Sequence, residues 1–244
     1  MPYDKLLLAT GAKVREAHWI KGIEKAKHVY YLRDAYDQER IKAVAETVKD
    51  GVAILGSSFN GSEAAASLKG RFKKNFDIHL IGLEEYPIET VFGKEIGKLM
   101  FTEHKKRGII QHMQKGIEEI IVDDSGEIQE MILTDGTRHK ISMLICGVGV
   151  TPCTGYLQNS ETGINIEKSG AIICDSQLQT SVTDIYAAGD IASYPFDDAD
   201  NHNRIEHWNT AMDQGSYVAF NMLGKEQKYK KTPYFWTKHY NFMI

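Results

Sequence analysis

Short apolar runs closed by glycine-bearing turns alternate along this chain with stretches whose apolar positions recur every three to four residues. The first run, Tyr3 to Leu8, ends in Ala9-Thr10-Gly11-Ala12 and reads as a buried strand. A core strand needs neighbours on both sides, which makes its place at the start of the chain unusual. Asp34 suits the N-cap of a helix through Lys49, with Ile41, Val44, Ala45 and Val48 on one face and Gly51 as the break. Val52-Ala53-Ile54-Leu55 is a second buried strand, running into Gly56-Ser57-Ser58-Phe59-Asn60-Gly61-Ser62-Glu63. A helix from Gly61 to Phe72 and a strand from Ile78 to Leu83 complete a βαβ unit.

Farther on, the pattern predicts a helix over Lys94–Lys106. Three strands follow, Gly116–Val122, Ile128–Leu133 and His139–Cys146, joined by turns of hairpin chemistry at Asp123 to Gly126 and Asp135-Gly136. Gly147 to Pro152 is a Gly/Pro turn, Ala171–Cys174 and Ile185–Ala188 are short strands, and Ile205–Leu223 is helical. The fold class is therefore α/β: a doubly wound, Rossmann-like nucleotide-binding domain with a three-stranded β-meander, plus part of a second domain of related design.

Composition changes little in this picture. Among the 244 residues, 42% are apolar and 25% charged, which excludes a disordered or collagen-like chain. A net charge of -4 without a long basic run argues against a nucleic-acid partner. The longest apolar stretch, Ile141 to Val150, is too short for a transmembrane segment, and no secretory signal is visible. Cys146, Cys153 and Cys174 form no C-x-x-C pair and read as small buried residues in a reducing setting. Nine histidines show no paired metal-ligand spacing, so solvated or core roles are expected and no metal site. Lys69, Arg71, Lys73 and Lys74 read as a solvated helix end. Lys228, Lys230 and Lys231 read as a solvated loop, with docking of an acidic electron carrier as the sharper alternative.

Two turns carry chemistry. A phosphate-binding βα turn needs glycine at the bend, a small residue beside the pyrophosphate, and glycine where helix meets strand. Gly56, Ser58 and Gly61 fill these positions, and the helix N-terminus adds free N–H groups and a positive dipole end. The bland reading is a plain tight turn. The acidic residue that should close the next strand falls on Gly82, with Glu84 and Glu85 just beyond. NAD against NADP stays open, with a lean to NAD through Glu84. The second turn is Thr180 to Asp190, in which a buried strand delivers Gly189-Asp190 to its C-terminal end. There the carboxylate can accept from a sugar hydroxyl. The bland reading is an N-capping aspartate.

These stretches, with Ala9 to Ala12, Gly147 to Pro152, His207-Trp208, Gln214-Gly215 and Pro233 to Thr237, resemble the two-dinucleotide-binding-domain flavoproteins of the pyridine nucleotide-disulfide oxidoreductase superfamily. The likeness is closest to the apoptosis-inducing-factor-like branch, which often carries a Rieske domain, and to bacterial ferredoxin reductases. It implies FAD and NAD(P)H as cofactors and a mitochondrial or cytoplasmic setting. It also implies cofactor-binding roles for Gly11, Gly56, Ser58, Phe59, Gly61, Glu63, Gly149, Pro152, Gly189, Asp190, His207, Trp208 and Trp236. Asp190 and Gly189 would meet the FAD ribityl-phosphate, and the helix from Trp208 would aim its amides at the flavin pyrimidine edge. Trp236 would lie near the isoalloxazine, Glu63 near the nicotinamide, and Pro152 at a domain interface. Core packing is the bland reading of both tryptophans. No residue is expected to act as acid, base or nucleophile.

The resemblance also implies an organisation of 1–34 as an FAD-domain fragment, 35–150 as the NAD(P)-binding domain, 151–228 as the FAD-domain return and 229–244 as the start of an interface domain. The superfamily's ADP-binding G-x-G-x-x-G turn would precede Tyr3. A partner chain supplying those strands is therefore one expectation, beside an iron–sulfur protein or domain as electron acceptor. The rival reading is a catalytically silent structural or accessory subunit that keeps the fold without binding flavin.

Overall fold

The structure, a computed structural model, describes residues 2–72, 76–158, 161–196 and 201–244. Lys73 and Lys74 of the basic helix end lie outside these residues. The chain divides into two compact units, one of residues 1–13 and 150–235, the other of residues 14–149 and 236–244.

The elements run β1 (Leu6–Leu8), β2 (Ala12–Val14), β3 (Val29–Tyr31), α1 (Ala35–Ala45), β4 (Gly51–Leu55), α2 (Phe59–Arg71), β5 (Ile78–Gly82) and α3 (Glu89–Lys106). They continue with β6 (Ile110–Met113), β7 (Ile117–Val122), β8 (Ile128–Leu133), β9 (Arg138–Cys146) and β10 (Val150–Pro152). The remainder is β11 (Ile172–Ile173), β12 (Ile185–Ala187), β13 (Ala192–Pro195), β14 (His202–Asn203), α4 (Trp208–Met222), β15 (Lys238–His239) and β16 (Phe242–Met243).

In the second unit a seven-stranded sheet runs β6-β5-β4-β9-β8-β7, with β3 also paired to β9. The strands β3, β4, β5, β6 and β9 pair in parallel, and β7-β8-β9 form the antiparallel meander. Every residue of β4 and β5 is buried, as expected for parallel strands covered on both faces. Alternate residues feed two cores. Val52, Ile54, Ile78 and Leu80 meet Ile41 and Ala45 of α1 and Ala64, Ala65 and Leu68 of α2. Ala53, Leu55 and Ile81 meet Ile117, Ile120, Met131 and Leu133 of the meander. The side chain of Asp34 caps α1 by accepting from Asp37 N–H. The helix expected from Lys94 begins one turn earlier and kinks at Gly93, whose φ of 80° is outside the helical region.

In the first unit β1 runs parallel to β12 in the register Leu6↔Ile185, Leu7↔Tyr186, Leu8↔Ala187. Leu8, Ile172, Leu178, Tyr186, Ile191, Tyr194 and Val218 form its core. Residues 14–34, read from the sequence with the flavin fragment, lie in the second unit. The reason is pairing across the chain: β3 matches Val29↔Leu144 and Tyr30↔Ile145 on β9. Residues 236–244 join that unit as well.

Candidate functional site

The β4–α2 turn is built by backbone packed on backbone. Gly56 closes β4 with φ 107°, and its N–H donates to Ile81 O at 2.8 Å. A Cβ on Gly56 would collide with Gly147 O, and one on Gly61 would collide with Gly56 O. Gly147 N–H in turn donates to Leu55 O at 2.7 Å. Three glycines therefore bring the ends of β4 and β9 against the first turn of α2. Ser58 stands at the N-cap of α2 in extended conformation, and its hydroxyl makes no capping hydrogen bond. Phe59, the first helical residue, packs edge-on against Phe92 with ring centroids 5.5 Å apart. Gly147 has no part in the glycine spacing of this turn in the sequence; its role appears only when β9 lies beside β4.

The missing carboxylate at the end of β5 has a steric cause. A Cβ on Gly82 would overlap the hydroxyl of Ser57, which is buried and donates to Glu84 Oε2 at 2.7 Å. Ser57 thus holds the half-buried Glu84 at the strand end, the place where ribose hydroxyls are recognised in such sheets.

Glu63, one turn into α2, accepts from Thr237 Oγ1 at 2.6 Å and from Lys238 N–H at 3.3 Å. Trp236, the neighbour of Thr237, is 38% exposed, so it is not a core residue. Beneath this clasp His104 Nδ1 lies 2.6 Å from Tyr240 Oη. Burial, His239 and Arg107 push His104 down to about 3, and burial with the Glu103 charge pushes Tyr240 well above its usual range. Gly149, at φ 88°, is exposed and accepts from Arg15 N–H.

In the first unit β12 delivers Gly189 and Asp190 to its C-terminal end, where Gly189 adopts φ 76°. Gly189 N–H donates to Gln214 Oε1 at 2.7 Å, and Arg204 Nη1 donates to Asp190 O at 3.1 Å. The turn is therefore tied to α4 and to the segment before it by side chains. His207 is the N-cap of α4, its Nδ1 accepting from Asn209 N–H, and Trp208 lies beside it with 58% of its surface exposed. That exposure removes the core-packing reading of Trp208. Gly11, at φ 68°, accepts from Cys153 N–H, and the buried Pro152 packs near Gly170. All three cysteines are free thiols. Burial pushes both Cys146 and Cys174 up to about 12, which suits packing rather than thiolate chemistry. Cys153 is only half-buried, contrary to the sequence reading.

The structure thus gathers Gly56, Ser58, Phe59, Gly61 and Glu63 around one helix start, and Gly189, Asp190, His207 and Trp208 around another. The model of the pyridine nucleotide-disulphide oxidoreductases matches residues 1–215. The chain belongs to that family. It is 30% identical over 238 residues to human apoptosis-inducing factor 3, covering 97% of this chain and 38% of the relative. To the seedling isozyme of monodehydroascorbate reductase from Cucumis sativus it is 27% identical over 249 residues, covering 98% and 55%. The crystal structure of a ferredoxin reductase from Rhodopseudomonas palustris superposes with a TM-score of 0.87 at 27% identity, covering 97% of this chain and 56% of that one. The α/β, Rossmann-like architecture of this family member is that of these flavoprotein reductases. The chain spans about two fifths to somewhat over half the length of these relatives. No helix among the described residues is long and apolar enough to cross a membrane.

Proposed function

We propose that this chain is the nucleotide-contacting portion of an FAD-dependent NAD(P)H oxidoreductase that passes electrons to an iron–sulfur acceptor. The observation that carries the reading is the β4–α2 turn. Gly56 and Gly61 leave no room for a side chain, Gly147 leaves little, and the uncapped Ser58 leaves its hydroxyl available to a phosphate oxygen. The first-turn N–H groups of α2 and its dipole favour a pyrophosphate there. Glu84, held by Ser57, would accept from the adenosine ribose, which favours NADH over NADPH because a 2′-phosphate would meet a carboxylate.

The residues of the first unit fit the flavin part of FAD. Gly189 carries no side chain, so a ligand can approach the backbone, while Gln214 and Arg204 fix the turn from behind. Asp190 would accept from ribityl or phosphate-side hydroxyls. The α4 N-terminus would stabilise negative charge at the pyrimidine edge. When bound, FAD would supply two-electron acceptance from NAD(P)H and one-electron delivery onward. The chain's own residues bind and orient, and no side chain needs to move a proton. Glu63, fixed by Thr237, would stand toward the nicotinamide. The likeness to a ferredoxin reductase supports an iron–sulfur acceptor, and the likeness to a monodehydroascorbate reductase is the reason to test it rather than assume it.

An absorption spectrum of the purified chain tests the reading. Oxidised-flavin bands that bleach on adding NADH, or saturable NADH binding lost in Gly61→Ala, support it. A well-folded, colourless chain that binds neither nucleotide would establish the rival accessory-subunit reading.

A further inference from the structure

Three of the nine histidines, far apart in sequence, meet on one face of the seven-stranded sheet. His79 on β5 lies opposite Ala53 on β4, and His112 on β6 lies opposite Ile81 on β5. His139 is two residues before Ile141 on β9, which lies opposite Gly51 on β4. Side chains two residues apart on a strand share a face, so all three rings stand on the face of Ala53, Ile81 and Ile141, the meander side. Strands β5 and β9 are separated by β4, which sets their backbones roughly 10 Å apart. Their rings nevertheless approach to 5.0 Å between centroids, and those of His112 and His139 to 4.5 Å. Gly51 makes this possible: a Cβ there would come within 3.1 Å of His79 Cδ2 and Nε2.

One nitrogen from each ring lies within 4.8 Å of the other two, and His79 Nδ1 is 3.0 Å from His112 Nε2. Metal–nitrogen bonds of about 2.0–2.1 Å in tetrahedral geometry set donor atoms roughly 3.4 Å apart. One pair therefore stands near ligand spacing already, and the third nitrogen reaches it by side-chain rotation. His79 and His112 are 4% and 8% exposed, whereas His139 is only partly buried and gives an entry path. Burial, reinforced by neighbouring histidines, pushes His79 and His112 down to about 4, so both rings are neutral at neutral pH, and the proton of the His79 Nδ1–His112 Nε2 hydrogen bond must move to that ring's other nitrogen for both to face an ion. Asp77 acts on His79, and Asp135 on His112, in the direction that favours positive charge; Lys115, ion-paired to Asp135, opposes it. His79 precedes the nucleotide edge at Gly82 by three residues, about 10 Å along the strand, so the cluster is separate from the β4–α2 turn.

We propose that His79, His112 and His139 form a binding site for a divalent transition ion of the zinc class, tying β5 and β6 to the start of β9. Imidazole donors suit Zn2+, Cu2+, Ni2+ and Co2+, and three protein ligands leave a fourth position for water. The test is calorimetric titration of the EDTA-treated, purified chain with Zn2+, with Co2+ as the spectroscopic probe. One equivalent should bind, Co2+ should give the intense visible bands of a tetrahedral nitrogen site, and Zn2+ should raise the melting temperature. His112→Gln and His139→Gln should each weaken binding at least about tenfold, and the exposed His18→Gln should not. Histidine-ring 15N spectra of the unaltered chain give a readout that needs no variant: Zn2+ should shift these three rings out of nine. No stoichiometric uptake, uptake that survives in both glutamine variants, or unshifted rings at these positions would overturn the proposal.

Discussion

The two helix starts that carry the candidate residues, one in each unit, are held in place by different means. At β4–α2 a Cβ on Gly56 or Gly61 would strike a main-chain oxygen, so neither position tolerates an added carbon, while one on Gly147 would press on Gly61 N at 3.3 Å. At β12–α4 a single glycine is anchored by side chains, Gln214 and Arg204, and the nearest atom to an added Cβ would be Ala211 Cβ at 3.5 Å. The first turn is specified by what is missing, the second by what is supplied. A glycine-to-alanine change should therefore be severe in one and mild in the other, although both sequences read alike as strand, glycine, helix.

The largest effect tests that contrast directly. Gly61→Ala forces backbone apart and should cost roughly 3 kcal/mol, the upper end for overpacking, with loss of NADH binding in a fluorescence titration. A melting temperature and NADH affinity left unchanged would break the comparison. Acid should separate the two units next. His104, buried in the second unit, sits near 3 against an ordinary 6.5. Its neutral form contributes full stability above about pH 6.5, and that stability drains as pH falls toward 3. At pH 5 the share of this one residue in the loss is roughly 2 kcal/mol. Urea midpoints at pH 7 and 5 measure the total, and His104→Gln should remove this share while leaving that of His79 and His112. In a Trp19→Phe, Trp236→Phe background, Trp208 reports the first unit alone, whose midpoint should move less.

Gln214→Leu should cost the first unit about 1–2 kcal/mol, because Gly189 N–H loses its acceptor. The same Trp208 signal reads the change, and NADH affinity should not follow it. Gly189→Ala should cost only about 1 kcal/mol, the strain of a left-handed φ without a clash. The smallest effect is on selectivity: Glu84→Ala should narrow the NADH-over-NADPH preference roughly threefold, since the carboxylate is partly solvated.

Much of the nucleotide turn was legible because its determinants are neighbours in sequence: Val52 to Leu55, then Gly56, Ser58 and Gly61. The meander was legible too, since Asp-Gly turns and strand periodicity are local signals. What escaped depends on register between distant strands. β3 and β6 have no strong pattern of their own and exist because β9 and β5 offer them an edge. The reason for Gly82 at the end of β5 lies in its neighbours: Ser57 fills the space of a Cβ there and holds Glu84. The three histidines at 79, 112 and 139 have no motif spacing; parallel pairing and the bare Gly51 bring them together. Residues 229–244 read as the start of another domain, yet 236–244 join the second unit, where Thr237 and Lys238 clasp Glu63.

The register of β1 on β12 carries a temporal consequence. Leu7 pairs with Tyr186, so during synthesis the first strand leaves the ribosome 179 residues (186 − 7) ahead of its partner. At bacterial to eukaryotic elongation speeds that delay is roughly 10–35 s. Throughout it, Leu6-Leu7-Leu8 lacks its β12 partner, while residues 14–149 are already emerging. Nascent-chain handling, rather than final stability, is where this topology is most exposed to failure.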